Sequence, residues 1–286
     1  RRHVATLEGM LTTTPLPETF PLSFCPTGMV PTRADSPYVP LTPREIADDV
    51  HAVSQLGITS VHLHARDERG VPTWRREVFE EIISLVKERD PELVICVTTS
   101  GRDVSEVEKR AAVLDIAGDL KPDMASLTLA SMNFATSASV NAPQTVRELA
   151  ERMRDRGIVP ELEVFDTGML NFAAYLAKKG ILRTPYVVNL LLGGLATAQV
   201  SPLELGLLLE RMPEGATWLG AGICQAQLAA NALSLAAGGG VRVGLEDNLH
   251  VDQTRTRLAT NVELVQRVVA QAALLGRRPM PPSAFR

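Results

Sequence analysis

The chain reads as an α/β protein of the (β/α)8, or TIM-barrel, class, and three observations predict this. Eight short apolar runs, each carrying polar residues at its C-terminal end, recur at about 30-residue intervals with room for a helix after each, the sequence form of βαβ repetition. The segments between them carry helix start and stop signals. The length of 286 residues suits one barrel domain, since barrels of roughly 250 residues are routine.

A proline-rich lead-in ends near Pro21, so 1–286 reads as a single domain with an N-terminal extension at about 1–21. The runs at 22–25, 60–64, 93–97, 124–129, 159–165, 186–192, 218–222 and 241–245 predict the strands in order. After the first, Thr42-Pro43-Arg44-Glu45 supplies an N-cap threonine, a proline at the first helical position and a glutamate at the third. Ile46, Val50, Val53 and Leu56 follow at helical spacing, and Gly57 supplies the stop. Ser201-Pro202-Leu203-Glu204 repeats the start signal after the sixth strand. From Thr254 to Leu275 the pattern predicts one long helix, with Leu258, Val262, Val265 and Val269 on one stripe and Gly276 at its end. Open doubly wound sheets alternate in the same way, but strongly twisted open sheets of eight strands are less common, so closure is preferred. A closed barrel directs attention to the C-terminal strand ends.

Composition narrows the function. The chain is 45% hydrophobic and 22% charged with a net charge of −4, an ordinary globular balance without the basic run that tracks a phosphate backbone, so nucleic acid is not an expected partner. No apolar stretch approaches the roughly 20 residues of a membrane span, and Arg1 to Leu11 lacks the apolar core and cleavage site of a signal peptide. The three cysteines, Cys25, Cys96 and Cys224, are scattered. That argues against a disulfide framework, for a reducing cytoplasm, and against a CxxC-type structural zinc site.

The sharpest local feature is His62-Leu63-His64-Ala65-Arg66-Asp67 at the end of the second strand. Side chains alternate along a strand, so His62 and His64 point the same way and can chelate one ion; neutral imidazole suits Zn²⁺. A pair of hydrogen-bonded core or surface histidines would show the same spacing. In the last strand Arg242, Gly244 and Glu246 share a face, with Gly244 expected to clear space beside the barrel axis. Glu246 stands where a third ligand would sit, with Asp247 just outside it and Arg242 deeper. A structural Arg–Glu pair plugging the barrel is the competing reading. Thr98-Thr99-Ser100-Gly101 closes the third strand, Ser126 and Thr128 share a face of the fourth, and Glu161 and Glu163 share a face of the fifth. A carboxylate there would support a metal ligand or carry a proton.

Together the segments Gly28…Thr32-Arg33-Ala34-Asp35-Ser36-Pro37…Pro40-Leu41-Thr42-Pro43, His62-Leu63-His64-Ala65-Arg66, Lys121-Pro122-Asp123-Met124-Ala125-Ser126-Leu127, Pro160-Glu161-Leu162-Glu163-Val164 and Gly244-Leu245-Glu246-Asp247-Asn248 resemble the β-keto acid cleavage enzymes, zinc-dependent barrels related to 3-keto-5-aminohexanoate cleavage enzyme. The resemblance covers nearly the whole chain. It implies that a β-keto acid and acetyl-CoA give acetoacetate and a new acyl-CoA. It further implies that His62, His64 and Glu246 bind zinc and that Asp247, oriented by Arg242, handles the proton. By the same carry-over Thr98, Gly101, Ser126 and Thr128 grip the substrate, and Glu163 is a supporting carboxylate. Dimers or tetramers are expected of such a chain.

Three positions depart from the pattern. Val30 stands where the aminohexanoate enzyme has a glutamate that holds the substrate amine, and an apolar side chain cannot pair with an ammonium. A substrate with a neutral or apolar acyl chain is therefore expected. Gly193-Gly194-Leu195-Ala196-Thr197-Ala198 is shorter than the corresponding loop, and Cys224-Gln225-Ala226-Gln227 lacks an arginine common there; both border the expected coenzyme path. Two rivals remain: another metal-dependent barrel lyase or hydrolase, and a barrel that binds a small acid or metal without catalysis. An amidohydrolase-type site would need its His-x-His on the first strand and further histidines on strands five and six. The remaining histidines here are His3, His51 and His250.

Overall fold

The computed structural model describes residues 15–286. Eight parallel strands close into a barrel: β1 (Leu22–Phe24), β2 (Ser60–Leu63), β3 (Val94–Val97), β4 (Met124–Thr128), β5 (Val159–Val164), β6 (Val187–Leu192), β7 (Thr217–Gly222) and β8 (Gly240–Val243), with β8 pairing back onto β1. A helix follows each strand: α1 (Pro43–Ser54), α2 (Arg76–Lys87), α3 (Val107–Ala111), α4 (Pro143–Asp155), α5 (Thr167–Lys178), α6 (Pro202–Glu210), α7 (Gln227–Ala236) and α8 (Asn261–Leu274).

The helix signals act as expected at α1. Thr42 caps it with a complete capping box to Glu45, and Gly57 takes φ +90 beyond its end. Ser201 caps α6 in the same position relative to its proline. The long final helix does not begin at Thr254. Residues 254–260 form a loop, because the Asp252 carboxylate accepts hydrogen bonds from the Thr256 and Arg257 amides (3.1 Å each) and from the Thr256 hydroxyl. Leu258 instead forms a β-bridge with His250, and a Thr260–Glu263 capping box starts α8 at Asn261.

The main core lies between the strands' outward faces and the helices, with residues such as Val61, Leu63, Ile82, Val97, Leu127, Leu162 and Val265 fully buried. Inside the barrel, a smaller cluster of Val94, Cys96, Met124, Val187 and Leu219 fills the N-terminal half. Polar side chains thereby concentrate in the C-terminal half, where water and ligands enter. The other end is closed by Thr19–Phe20 pairing with Arg278–Pro279 and by Arg277, which donates to the carbonyls of Pro17, Leu235 and Gly239. The described part of the N-terminal extension thus packs on its own barrel; residues 1–14 lie outside the described residues. No helix among the described residues is long and apolar enough to cross a membrane.

Candidate metal centre at the barrel mouth

His62 leaves β2 pointing inward and His64 follows just past the strand end; both are buried. Their Nε2 atoms face each other at 3.2 Å, and His64 Nε2 lies 3.2 Å from Glu246 Oε1. A carboxylate can only accept, so the 2.7 Å contact of His62 Nδ1 with Glu161 Oε2 fixes the proton on Nδ1 and leaves the Nε2 lone pair facing His64. Ligand atoms of His62, His64 and Glu246 all lie within 4.8 Å of one another. Glu246 Oε2 is buried with no hydrogen-bond partner among the described residues. Two imidazole Nε2 atoms and an unsatisfied carboxylate oxygen converging on one region fit a small divalent cation, which would replace the proton that His64 Nε2 directs at Glu246.

A second group, His62, Cys96 and Glu161, also lies within ligand distance. It uses the other face of the same imidazole. There the Cys96 thiol donates to Glu161 at 3.3 Å, and burial together with the Glu161 charge holds that thiol well above its ordinary pKa. A protonated thiol on a carboxylate already engaged by His62 supports the upper site rather than competing with it.

Electrostatics reinforces the asymmetry. Burial lowers the pKa of both imidazoles, but the Glu161 and Glu246 carboxylates outweigh it at His62, whose pKa is raised, while His64 is left lowered. Burial raises and Arg242, His64 and His62 together lower the pKa of Glu246, which ends well below the usual carboxylate range. Arg242 is the hub. Its Nε donates to Asp247 Oδ2 (3.0 Å) and its Nη2 to Glu246 Oε1 (2.7 Å), while Nη1 sits 3.7 Å from Glu163 Oε1.

The last strand differs from its sequence reading. β8 stops at Val243, and 244–247 turn back, with the Asp247 and Asn248 amides reaching the Gly244 carbonyl. Asp247 is therefore not outside the site. It is buried, gripped by Arg242 and receiving the Cys25 thiol at 3.3 Å. Nor does Gly244 clear the barrel axis: a Cβ there would lie 1.9 Å from the Cys25 carbonyl oxygen, so the glycine lets the turn pass β1. Gly28 does the same for Glu246, taking φ +66 where a Cβ would come within 2.5 Å of Glu246 Cγ.

The other named residues are distributed around this centre. Thr128 donates to Glu163. The Ser126 hydroxyl accepts from the Thr99 amide and so anchors the loop after β3. Thr98 accepts from the Ser100 amide, and a Cβ on Gly101 would strike Arg110 Nη1 at 2.5 Å. Val30 is 59% exposed at the rim. A small recess of about 30 Å³ opens beside His64 and Thr98, walled largely by Met29, Pro72, Trp74, Phe79 and Val113. Sequence reasoning gave no role at the site to Cys96, to Gly28 or to Arg66, whose guanidinium ties the carbonyls of Gly28, Pro31 and Gly70 together. It chose Glu163 over Glu161 as the supporting carboxylate. The two share a strand face, and only the cross-barrel approach of β2 distinguishes them.

Known proteins resemble this chain over most of its length. The family model described as beta-keto acid cleavage enzyme matches residues 21–286. A 3-keto-5-aminohexanoate cleavage enzyme of Fusobacterium nucleatum subsp. nucleatum is 34% identical over 257 residues, 89% of this chain and 92% of the relative. A 3-oxoadipate:acetyl-CoA acetyltransferase of Cupriavidus necator is 32% identical over 90% of this chain and 89% of the relative. A 3-dehydrocarnitine:acetyl-CoA trimethylamine transferase of Rhizobium meliloti is 32% identical over 91% of this chain and 92% of the relative. The apo structure of ObcA superposes with a TM-score of 0.75 at 23% identity, covering 89% of this chain and 66% of that chain, a likeness of fold.

Proposed function

The chain belongs to the beta-keto acid cleavage enzyme family, and from that membership we propose that it is a zinc-dependent transferase acting on a β-keto acid and acetyl-CoA. The acetyl group leaves coenzyme A and joins C2 of the keto acid. The C2–C3 bond breaks as the freed coenzyme A thiolate takes the original acyl group as the new thioester, and C2 recovers its proton, leaving acetoacetate. The observation that carries this reading is the convergence of His62 Nε2, His64 Nε2 and Glu246 Oε1 beside an Arg242–Asp247 pair. Mere binding of an acid needs no such pair.

His62, His64 and Glu246 would hold the zinc, which would supply Lewis acidity toward the keto acid's carbonyl oxygens. The chain's own groups do the rest. Asp247 accepts the proton that leaves C2, and Arg242 positions it through two hydrogen bonds from its guanidinium. Glu161 holds His62 in the tautomer that directs Nε2 to the mouth. Glu163, bonded to Thr128 and facing Arg242, keeps the guanidinium in place. Thr98, Gly101, Ser126 and Thr128 shape the substrate wall.

The substrate substituent differs among the relatives, whose names specify an amino-hexanoate, a carnitine and an adipate skeleton. For this chain a substrate without an amino group is favoured, supported by Val30 at the rim and by the apolar recess beside His64. A homo-oligomer is supported by the exposed apolar side chains of Leu203 and Leu207, one turn apart on α6, and of Leu195 in the loop before it. The test is an acetoacetate assay over a panel of β-keto acids with and without acetyl-CoA, on protein of measured zinc content. Acetoacetate formed only with the thioester is expected. Cleavage without it would favour a lyase, and normal metal content with no turnover on any member would favour a binding protein.

A further inference from the structure

Arg102 follows Gly101 in the loop after β3 and lies half-buried in the mouth. Its Cζ is 3.4 Å from the centroid of the Phe134 ring, and Phe134 in turn meets Phe165 edge-on at 6.0 Å just past β5. The guanidinium therefore rests on the face of an aromatic ring that is itself packed on a second one. Among the described residues its N–H groups have no acceptor; only its backbone amide is engaged, by Ser100 Oγ at 3.4 Å. The other mouth arginines each donate to protein acceptors, although Nη1 of Arg110 and of Arg242 is left without a hydrogen-bond partner among the described residues. Arg66 holds the carbonyls of Gly28, Pro31 and Gly70, Arg110 holds Thr99 and Asn141, and Arg242 holds Asp247 and Glu246.

A guanidinium drawn partly out of water without a counterion costs free energy unless an anion joins it. Burial lowers the Arg102 pKa, while the charges of Asp103, Glu246, Glu163 and Asp247 raise it, so it feels the site's carboxylates without touching them. A planar fork of donors held flat on a ring matches a planar carboxylate, the group every β-keto acid carries. We propose that Arg102 is a substrate-binding residue that holds the β-keto acid by its carboxylate. The assignment rests on the reaction class proposed above, and it adds to the substrate wall a mouth guanidinium that meets no acceptor among the described residues and lies flat on an aromatic ring.

The test is calorimetric titration of the zinc-loaded protein, without acetyl-CoA, using 3-oxohexanoate and 2-pentanone, the same chain lacking the carboxylate. Wild type, Arg102→Leu and Arg102→Lys are compared after zinc content and thermal midpoint are shown to match. Arg102→Leu is expected to weaken 3-oxohexanoate about 10- to 100-fold, the usual effect of losing a charge-assisted hydrogen bond. Binding of 2-pentanone should stay at its wild-type level, and Arg102→Lys should recover part of the loss. Unchanged affinity of Arg102→Leu for 3-oxohexanoate overturns the assignment. In a parallel acetoacetate assay of the same variants, a rise in KM for acetyl-CoA alone also overturns it and would give the arginine to the coenzyme. Wild type that binds the acid in an Arg102-dependent way yet forms no acetoacetate refutes the reaction class and leaves the clamp standing. Wild type that binds neither compound refutes both.

Discussion

Glu161→Gln should weaken zinc binding without dismantling the fold. The carboxylate accepts from His62 Nδ1 at 2.7 Å, and both side chains are essentially inaccessible, at 0% and 2% exposure. Glutamine keeps an acceptor oxygen at nearly the same place, so the tautomer survives and the charge is what is lost. A hydrogen bond to a charged group contributes about 1.5–3 kcal/mol against about 0.5–1.5 for a neutral one. The difference of about 1–2 kcal/mol corresponds to roughly 5- to 30-fold in affinity, within the tenfold to hundredfold range typical of groups that support a metal-bound histidine. Glu161→Ala should be weaker still, because it leaves the Nδ1 proton unpaired in a dry site. Glu163→Gln is the internal control: its carboxylate meets Thr128 and Arg242 but neither histidine, so zinc affinity should change by about twofold or less. Competition against a chromophoric chelator reads all three, with thermal midpoints of the metal-free proteins as the check on folding. Equal zinc affinity in wild type and Glu161→Gln, or an equal loss in Glu163→Gln, would refute the reasoning.

Four further outcomes are expected. Gly244→Ala must push its methyl against the Cys25 carbonyl at 1.9 Å; overpacking of about 1–3 kcal/mol should lower the thermal midpoint by several degrees, and an unchanged melting curve would show that the turn can move freely. Thr260→Ala removes half of the α8 capping box and should cost about 1 kcal/mol in denaturant titration, with no loss measured if the loop at 254–260 rather than the cap starts the helix. Stripping the metal with a chelator should abolish acetoacetate formation and lower the thermal midpoint, both restored by zinc; activity that persists at undetectable metal content contradicts the proposed centre. Val30→Glu should raise kcat/KM for 3-keto-5-aminohexanoate relative to a neutral analogue, whereas wild type turning over both equally would remove Val30 from the specificity argument.

Much of this protein is legible in one dimension. Strand alternation puts His62 and His64 on one side, and capping signals at Thr42 and Ser201 mark helix starts by local hydrogen bonding alone. The order of apolar runs suffices for the barrel and hence for the end that carries the site. The resemblance of short segments to a known family points to Glu246, nearly two hundred residues away from the histidines. Local pattern failed where a side chain outbid propensity: Asp252 captured the backbone that hydrophobic spacing assigned to a helix.

The tertiary structure alone decided which carboxylate serves which partner. Glu161 and Glu163 are equivalent in sequence, two residues apart on one face, but closure of the barrel brings only Glu161 against His62 and leaves Glu163 to Arg242 and Thr128. It also turned Asp247 inward, because Gly244 lets the chain fold back across β1 where any side chain would collide. The sequence by itself determined which chemical groups reach the mouth, since that depends on period and order along the chain. Their pairing depends on distances across the barrel, which are set by the closure of eight strands together.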